Sequence, residues 1–233
     1  MRKQIALTAA LTLALVGLSL PASQAAATRY VTVKAQGSVK VIPDAVRISA
    51  TATNIASTNK DALAATSKTS AAIRTALAAS KIDKKDIATQ SISVFPEYKY
   101  TNDGGSTLIG YRASQSFTII VKAAATAGSV VDAIVAAAGD SVQIGGVTPF
   151  VLDAEKAADA ARSVAVKNAK ARALSYAKLL GVKLGKVNYL VEESAPSSVS
   201  PIYATAKAES DATVVDLGQQ DVTVSITVQW ALL

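Results

Sequence analysis

Asp221-Val222-Thr223-Val224-Ser225-Ile226-Thr227-Val228-Gln229-Trp230 alternates apolar and polar side chains without a fault. Successive side chains of a strand point to opposite faces. This decapeptide therefore predicts a strand with one face on a core and the other towards solvent. Working outward, the same period of two runs from Tyr30 to Thr53. Val31, Val33 and Ala35 are set against Thr32, Lys34 and Gln36, and after Gly37 Val46, Ile48, Ala50 and Ala52 are set against Arg47, Ser49, Thr51 and Thr53. Pro43 lacks an N–H for a ladder, so Ile42-Pro43-Asp44 predicts a bulge or break. Thr89–Tyr100 and Thr107–Lys122 read as a β-hairpin around the turn Asn102-Asp103-Gly104-Gly105, with Tyr111, Ala113, Phe117, Ile119 and Val121 sharing a face. Val142–Leu152, interrupted by Gly145-Gly146 and Pro149, and Lys186–Val191 complete the strands.

Three helices fall between them. Asn59–Ser80 places Leu63, Ser70, Ile73 and Leu77 near one face, and Ile82–Ile87 follows as a connector with turn chemistry at Asp83. Ala127–Ala138 is expected to bury Val130, Val131, Ile134 and Val135 before Gly139 stops it. The longest starts at Asp153 as N-cap, has Glu155 in its first turn and ends at Leu180 before Gly181. Its narrow face is Ala158, Ala161, Ala165, Ala169, Ala173, Ala177 and Leu180, and Lys167, Lys170, Arg172 and Lys178 load its C-terminal half with positive charge. Residues 192–212, rich in Ser, Ala and Pro, predict a mobile, irregular excursion. The order β-α-β-β-α-β-α-β-β implies an α+β fold of two layers, helices packed on a mostly antiparallel sheet.

Arg2 and Lys3, the apolar run Ile5–Leu20, Pro21 and the small residues through Ala27 have the three parts of a secretory signal peptide. Residues 1–27 are expected to be cleaved, after Ala25 or Ala27, leaving a single exported domain over residues 28–233. No later stretch has the apolar length of a transmembrane anchor. Without Arg2 and Lys3 the chain keeps 22 basic and 17 acidic residues. That excess is scattered, which argues against nucleic acid and reads first as a solvated basic surface, with weak attraction to anionic envelope surfaces as the alternative.

Of the 233 residues 50% are apolar and 18% charged, so the chain is expected to bury a core. It has no histidine and no cysteine, and its one methionine is Met1. Disulfides, thiolate and iron–sulfur sites, histidine-ligated zinc and imidazole triads are thereby excluded. After cleavage Trp230 and the tyrosines are the most oxidisable side chains, which closes thiol peroxidase chemistry.

Three constellations invite a catalytic reading. Glu192-Glu193, with Asp211 and Asp216, offers carboxylates for acid–base work or a weak cation site, but neighbours on a strand point to opposite faces. Asp103-Gly104-Gly105 resembles a fragment of a calcium loop without its spaced oxygens and terminal glutamate, so it reads as a turn. Ser163 near Lys167 and Lys170 has the residue types of Ser–Lys catalysis, with no announced oxyanion hole; the helix's small-residue face accounts for the spacing equally well. No catalytic, cofactor-binding or metal-ligating residue is assigned, and no cofactor is expected.

Several stretches together resemble the SIMPL-domain family, a domain of unknown function whose bacterial members include YggE-type oxidative stress defence proteins and a periplasmic immunogenic protein. They are Val31–Gly37 leading to Pro43–Ser49, Gly110–Phe117, Asp153–Ala157 with Ala165–Ala173, and Leu180–Val187. The resemblance covers the whole mature chain. It implies an exported α/β protein, a ring-like or barrel-like high-order oligomer in at least one member, links to envelope and oxidative stress, and members known as antigens. It carries no catalytic motif.

Three readings of function follow. The first is a non-enzymatic, self-assembling periplasmic protein that binds or shields envelope components. The second is a monomeric binding module or holdase for unfolded clients or glycan, working through the 192–212 loop. The third is a carboxylate- or metal-dependent hydrolase using Glu192, Glu193 and Asp216.

Overall fold

A computed structural model describes residues 29–100, 104–193, 197–202 and 212–233. The expected leader (residues 1–27), Asp103 and Asp211 lie outside the described residues. The α+β class is what the structure shows, in two parts.

The first extended segment is two strands, β1 (Tyr30–Val41) and β2 (Ala45–Ala56), which enter different sheets on either side of Pro43. Helix α1 (Asn59–Ala79), strands β3 (Ile87–Tyr100) and β4 (Ser106–Val121), helix α2 (Ala127–Ala138) and strand β5 (Val142–Phe150) follow. A single turn of 3-10 helix, Lys84–Asp86, occupies the Ile82–Ile87 connector. These elements form a sheet in the order β3-β4-β2-β5, antiparallel throughout. Ile48, Phe117, Ile119 and Val121 on its inner face pack against Ile73 and Leu77 of α1 and Val130 and Ile134 of α2.

Helix α3 (Ala154–Leu179) then leads to β6 (Leu184–Glu192), β7 (Ser197–Ile202) and β8 (Gln219–Leu232). In this second sheet β8 lies between β1 and β6, and β7 continues β6's side of β8. Within 192–212, expected as an irregular excursion, Glu192 ends β6 and Ser197–Ile202 is a strand. The decapeptide at 221–230 behaves as its alternation demands: Val222, Val224, Ile226, Val228 and Trp230 are buried beneath α3 with Val33 and Ala35.

Three expected core positions are corrected. In α1 the buried row is Ala62, Thr66, Ser70, Ile73 and Leu77, and Leu63 sits one residue off that row and is exposed. In α2 Val135 is likewise one step past the row ending at Ile134, and it is exposed. Leu180 follows the last residue of α3 and turns outward.

Every buried residue of α3 is alanine. A seam of methyl groups lets the helix settle close to β1, and at Gly37 the helix backbone lies where a Cβ would otherwise sit. Flanking that seam, Asn168 Nδ2 donates to the Gln36 carbonyl at 2.9 Å and Arg172 to the Lys34 carbonyl at 3.0 Å. These bonds satisfy acceptors on the open edge of β1 and blunt it against pairing with another strand.

The two parts are tied together by named contacts. Asp44, beside the break at Pro43, accepts from the Leu152 N–H at 2.7 Å, and Gln220 donates to the Pro149 carbonyl at 2.8 Å. The segment leading into β8 crosses α2, where Thr213 donates its hydroxyl to Asp132 at 2.6 Å and Val215 and Leu217 pack on the first core.

Candidate functional site

The expected carboxylate pair does not converge. Opposite Ile226, Glu192 points to the α3 side of the second sheet, where Arg162 holds it at 2.9 and 3.2 Å while also donating to Asp159 at 2.7 Å and to Glu155. Its bonds to Glu192 first, then to Glu155 and Asp159, raise the Arg162 pKa well above arginine's ordinary value. Glu193 turns to the other face, accepting from the Thr227 hydroxyl and pairing with Lys34 at 3.0 Å. Asp216 is exposed on the segment before β8, and among the described residues no three carboxylates are set to hold a metal ion. Ser163, Lys167 and Lys170 all lie on the solvent side of α3, opposite or beside its alanine seam.

Charge at these positions serves structure. The Thr227 hydroxyl, and secondarily Lys34, hold the Glu193 carboxyl below its ordinary value of 4.5. Arg112 does the same to Glu97 through a two-pronged pairing at 2.7 and 2.8 Å. A carboxyl with a lowered folded pKa stabilises fully above its unfolded value, and that contribution is lost as pH falls through the folded value. Glu193→Gln is therefore expected to lose less stability than the native protein on acidification through the carboxylate range. Thermal midpoints across pH read this, and parallel acid limbs for the two proteins would refute it.

What the molecule does present is surface for contact. The β2–β4 ladder ends at Ala56 and Tyr111, but the β3–β4 ladder continues to Tyr100 and Ser106. Beyond the body the hairpin is thus a two-stranded ribbon, an arrangement only marginally stable in water by itself. It carries exposed Tyr98, Tyr100, Leu108 and Ile109, and exposed Phe95 lies at its root, opposite Arg112. The arm leaves the sheet at Gly110, whose φ of +153° and whose nearness to the Ala56 carbonyl, 2.6 Å from where a Cβ would sit, both exclude a side chain. The Arg112–Glu97 pairing spans the same root.

A cleft of 440 Å³ opens beside that root, lined by Thr53, Asn54, Arg112, Asp140, Ser141 and Gln143 with Ile55 and Val142. Asn54 is held by Thr69 at 3.0 Å and by Ser141 at 3.1 Å, so part of the lining is pre-positioned. This amide- and hydroxyl-rich wall, with one charge of each sign at Arg112 and Asp140, suits binding of a polar ligand.

Sequence reasoning placed the hairpin but missed the exposure of its arm. The available signal was the appearance of large apolar residues on both parities of one strand, Phe95 against Tyr98 and Tyr100, where a half-buried strand keeps them to one.

The SIMPL family, described as protein of unknown function (DUF541), matches residues 31–230. The uncharacterized protein YggE of Edwardsiella ictaluri is 31% identical over 60% of this chain, and the match covers 59% of that protein's own length. The 26 kDa periplasmic immunogenic proteins of Brucella melitensis and Brucella abortus are each 29% identical over 85% of this chain and 82% of theirs. No helix among the described residues is long and apolar enough to cross a membrane. With a family match running from β1 into β8, across both sheets and the three described α-helices, this chain belongs to the SIMPL family.

Proposed function

We propose that this protein is exported to the periplasm and works there by contact, without turnover, as a self-assembling protein that binds or shields envelope components under oxidative or envelope stress. The observation that carries this reading is the β3–β4 arm, a two-stranded ribbon with four large apolar side chains in solvent and a fifth, Phe95, at its root. Such a patch on a projecting element is the usual mark of an interaction site. The leader-like residues 1–27 and the periplasmic naming of the Brucella relatives support the compartment. Catalysis by Glu192 and Glu193 finds no support, since Arg162 and Lys34 engage them on opposite faces.

Light scattering on the chain from Thr28 onward is expected to give a mass of several copies. Replacing Phe95, Tyr98 and Leu108 with serine is expected to reduce it to one copy with the far-UV spectrum retained. A monomer at micromolar concentration before any substitution would overturn the reading.

The cleft favours a second one, a monomeric binding module or holdase-like chaperone. In that case protection of an unfolded client survives the arm substitutions and is lost when Gln143 and Asp140 are replaced by alanine.

A further inference from the structure

Between Asp159 and Glu192 the chain has seven cations (Arg162, Lys167, Lys170, Arg172, Lys178, Lys183 and Lys186) and no carboxylate side chain. The fold gathers the later part of that stretch at one pole. There the turn after α3 meets the end of β8 through paired backbone bonds between Lys183 and Leu233, at 3.0 and 2.8 Å, and Arg29 accepts from the Leu232 N–H at 2.9 Å. Arg29 and Tyr30, at the start of β1 opposite Ala231, are brought to the same end.

Leucines stand out of this cationic pole. Leu179 is 79% exposed, Leu180 64% and Leu233 74%, with Tyr176 and Tyr30 also more than half exposed. An isolated exposed leucine is ordinary, whereas three at one end of the second part, on segments that also carry Lys178, Lys183 and Lys186, are a specific pattern. The helix C-terminus accounts for Lys178 through its dipole, but Lys183, Lys186 and Arg29 lie outside α3. None of the ion pairs among the described residues engages Lys178, Lys183 or Lys186. The acidic residues of the second part (Glu155, Asp159, Glu192, Glu193 and Asp221) are gathered towards the other end of its sheet and helix.

We infer that this pole docks on an anionic lipid bilayer, Leu179, Leu180 and Leu233 entering the boundary between headgroups and acyl chains while Arg29, Lys178, Lys183 and Lys186 meet the phosphates. Apolar side chains that insert shallowly, flanked by cations, are the combination that holds a protein on a bilayer without spanning it. The tyrosines suit the same depth, with an apolar ring and a polar tip. Charge disfavours contact with the same pole of a second copy, which would bring its cations together, whereas phosphates complement them. The inference is independent of self-assembly through the β3–β4 arm, which lies on the other sheet.

The test is co-sedimentation of the chain from Thr28 onward, which contains every described helix and strand, with vesicles of phosphatidylglycerol and phosphatidylcholine or of phosphatidylcholine alone. Binding is expected only to the anionic vesicles and is expected to weaken as salt is raised. Lys178→Ala, Lys183→Ala and Lys186→Ala should each weaken it roughly fivefold, and Leu179→Asp with Leu180→Asp should abolish it. These side chains are exposed, so thermal midpoints should stay close to native; should the leucine pair fail to fold, the lysine series decides. Absence of binding, equal binding to phosphatidylcholine alone, or native binding by the variants would overturn the inference. So would a drop in the scattering mass of the leucine variant with vesicle binding unchanged, which would assign the pole to contacts between copies.

Discussion

Replacing Gly37 with alanine is expected to disrupt the second sheet's union with α3 and cost about 3 kcal/mol or more, near the upper end for overpacking. A Cβ at residue 37 would sit 2.1 Å from the Ala161 carbonyl oxygen and 2.3 Å from the Ala165 nitrogen. Both are backbone atoms of a helix interior, so no side chain can rotate away. The helix must lift from β1, and lifting opens gaps along a seam where each alanine has only one methyl to offer. Chemical denaturation reads the loss as a lowered midpoint. Gly146→Ala is the control: nothing lies within 4 Å of its Cβ position, and its φ is not in the left-handed region, so a near-native midpoint is expected. A native midpoint for Gly37→Ala would show that the helix–sheet spacing is not set by this contact.

That seam also shows how far the sequence could be read. The alanines at 158, 161, 165, 169, 173 and 177 announced a narrow face, and all are buried. Their partner was not announced, because Gly37 is over a hundred residues away and its neighbours fit any half-buried strand. The break at Pro43 was visible for the same local reason that its consequence was not. Alternation reports which side chains share a face, but β1 and β2 alternate alike, and only long-range pairing, Tyr30 with Ala231 and Val46 with Val121, assigns them to separate sheets. The opposition of Glu192 and Glu193 followed from the period of two, whereas their partners Arg162 and Lys34 come from other elements and leave no local trace. The errors at Leu63 and Val135 share a cause. Hydrophobicity was weighed above position: in α1 helix geometry places Ala62 and Thr66, not Leu63, on the row that meets the sheet, and in α2 that row ends at Ile134, one step before Val135. The polar cleft was illegible because its walls come from β2, β4 and the approach to β5.

Phe117→Ala is expected to cost about 3–5 kcal/mol, and the way that cost spreads tests the joining of the two parts. Phe117 is 1% exposed at the middle of β4, with the Arg74 guanidinium 4.9 Å above its ring. It packs among the side chains of α1, α2 and β2 that make the first core. The single tryptophan, Trp230, lies in the second core and reports on that part alone. If the parts unfolded independently, the substitution would lower the far-UV midpoint and leave Trp230 emission where it was. The connections predict otherwise. Val215 and Leu217 rest on the first core immediately before β8 begins, and β8 is the central strand to which β1, β6 and β7 all pair. Gln220, near the start of β8, bonds the Pro149 carbonyl of β5, and Asp44 bonds Leu152 at the approach to α3. Losing the first core therefore frees the start of the strand on which the second sheet is built. Both probes are expected to shift to the same lower midpoint, and a Trp230 transition unmoved by Phe117→Ala would show the two parts to be separate folding units.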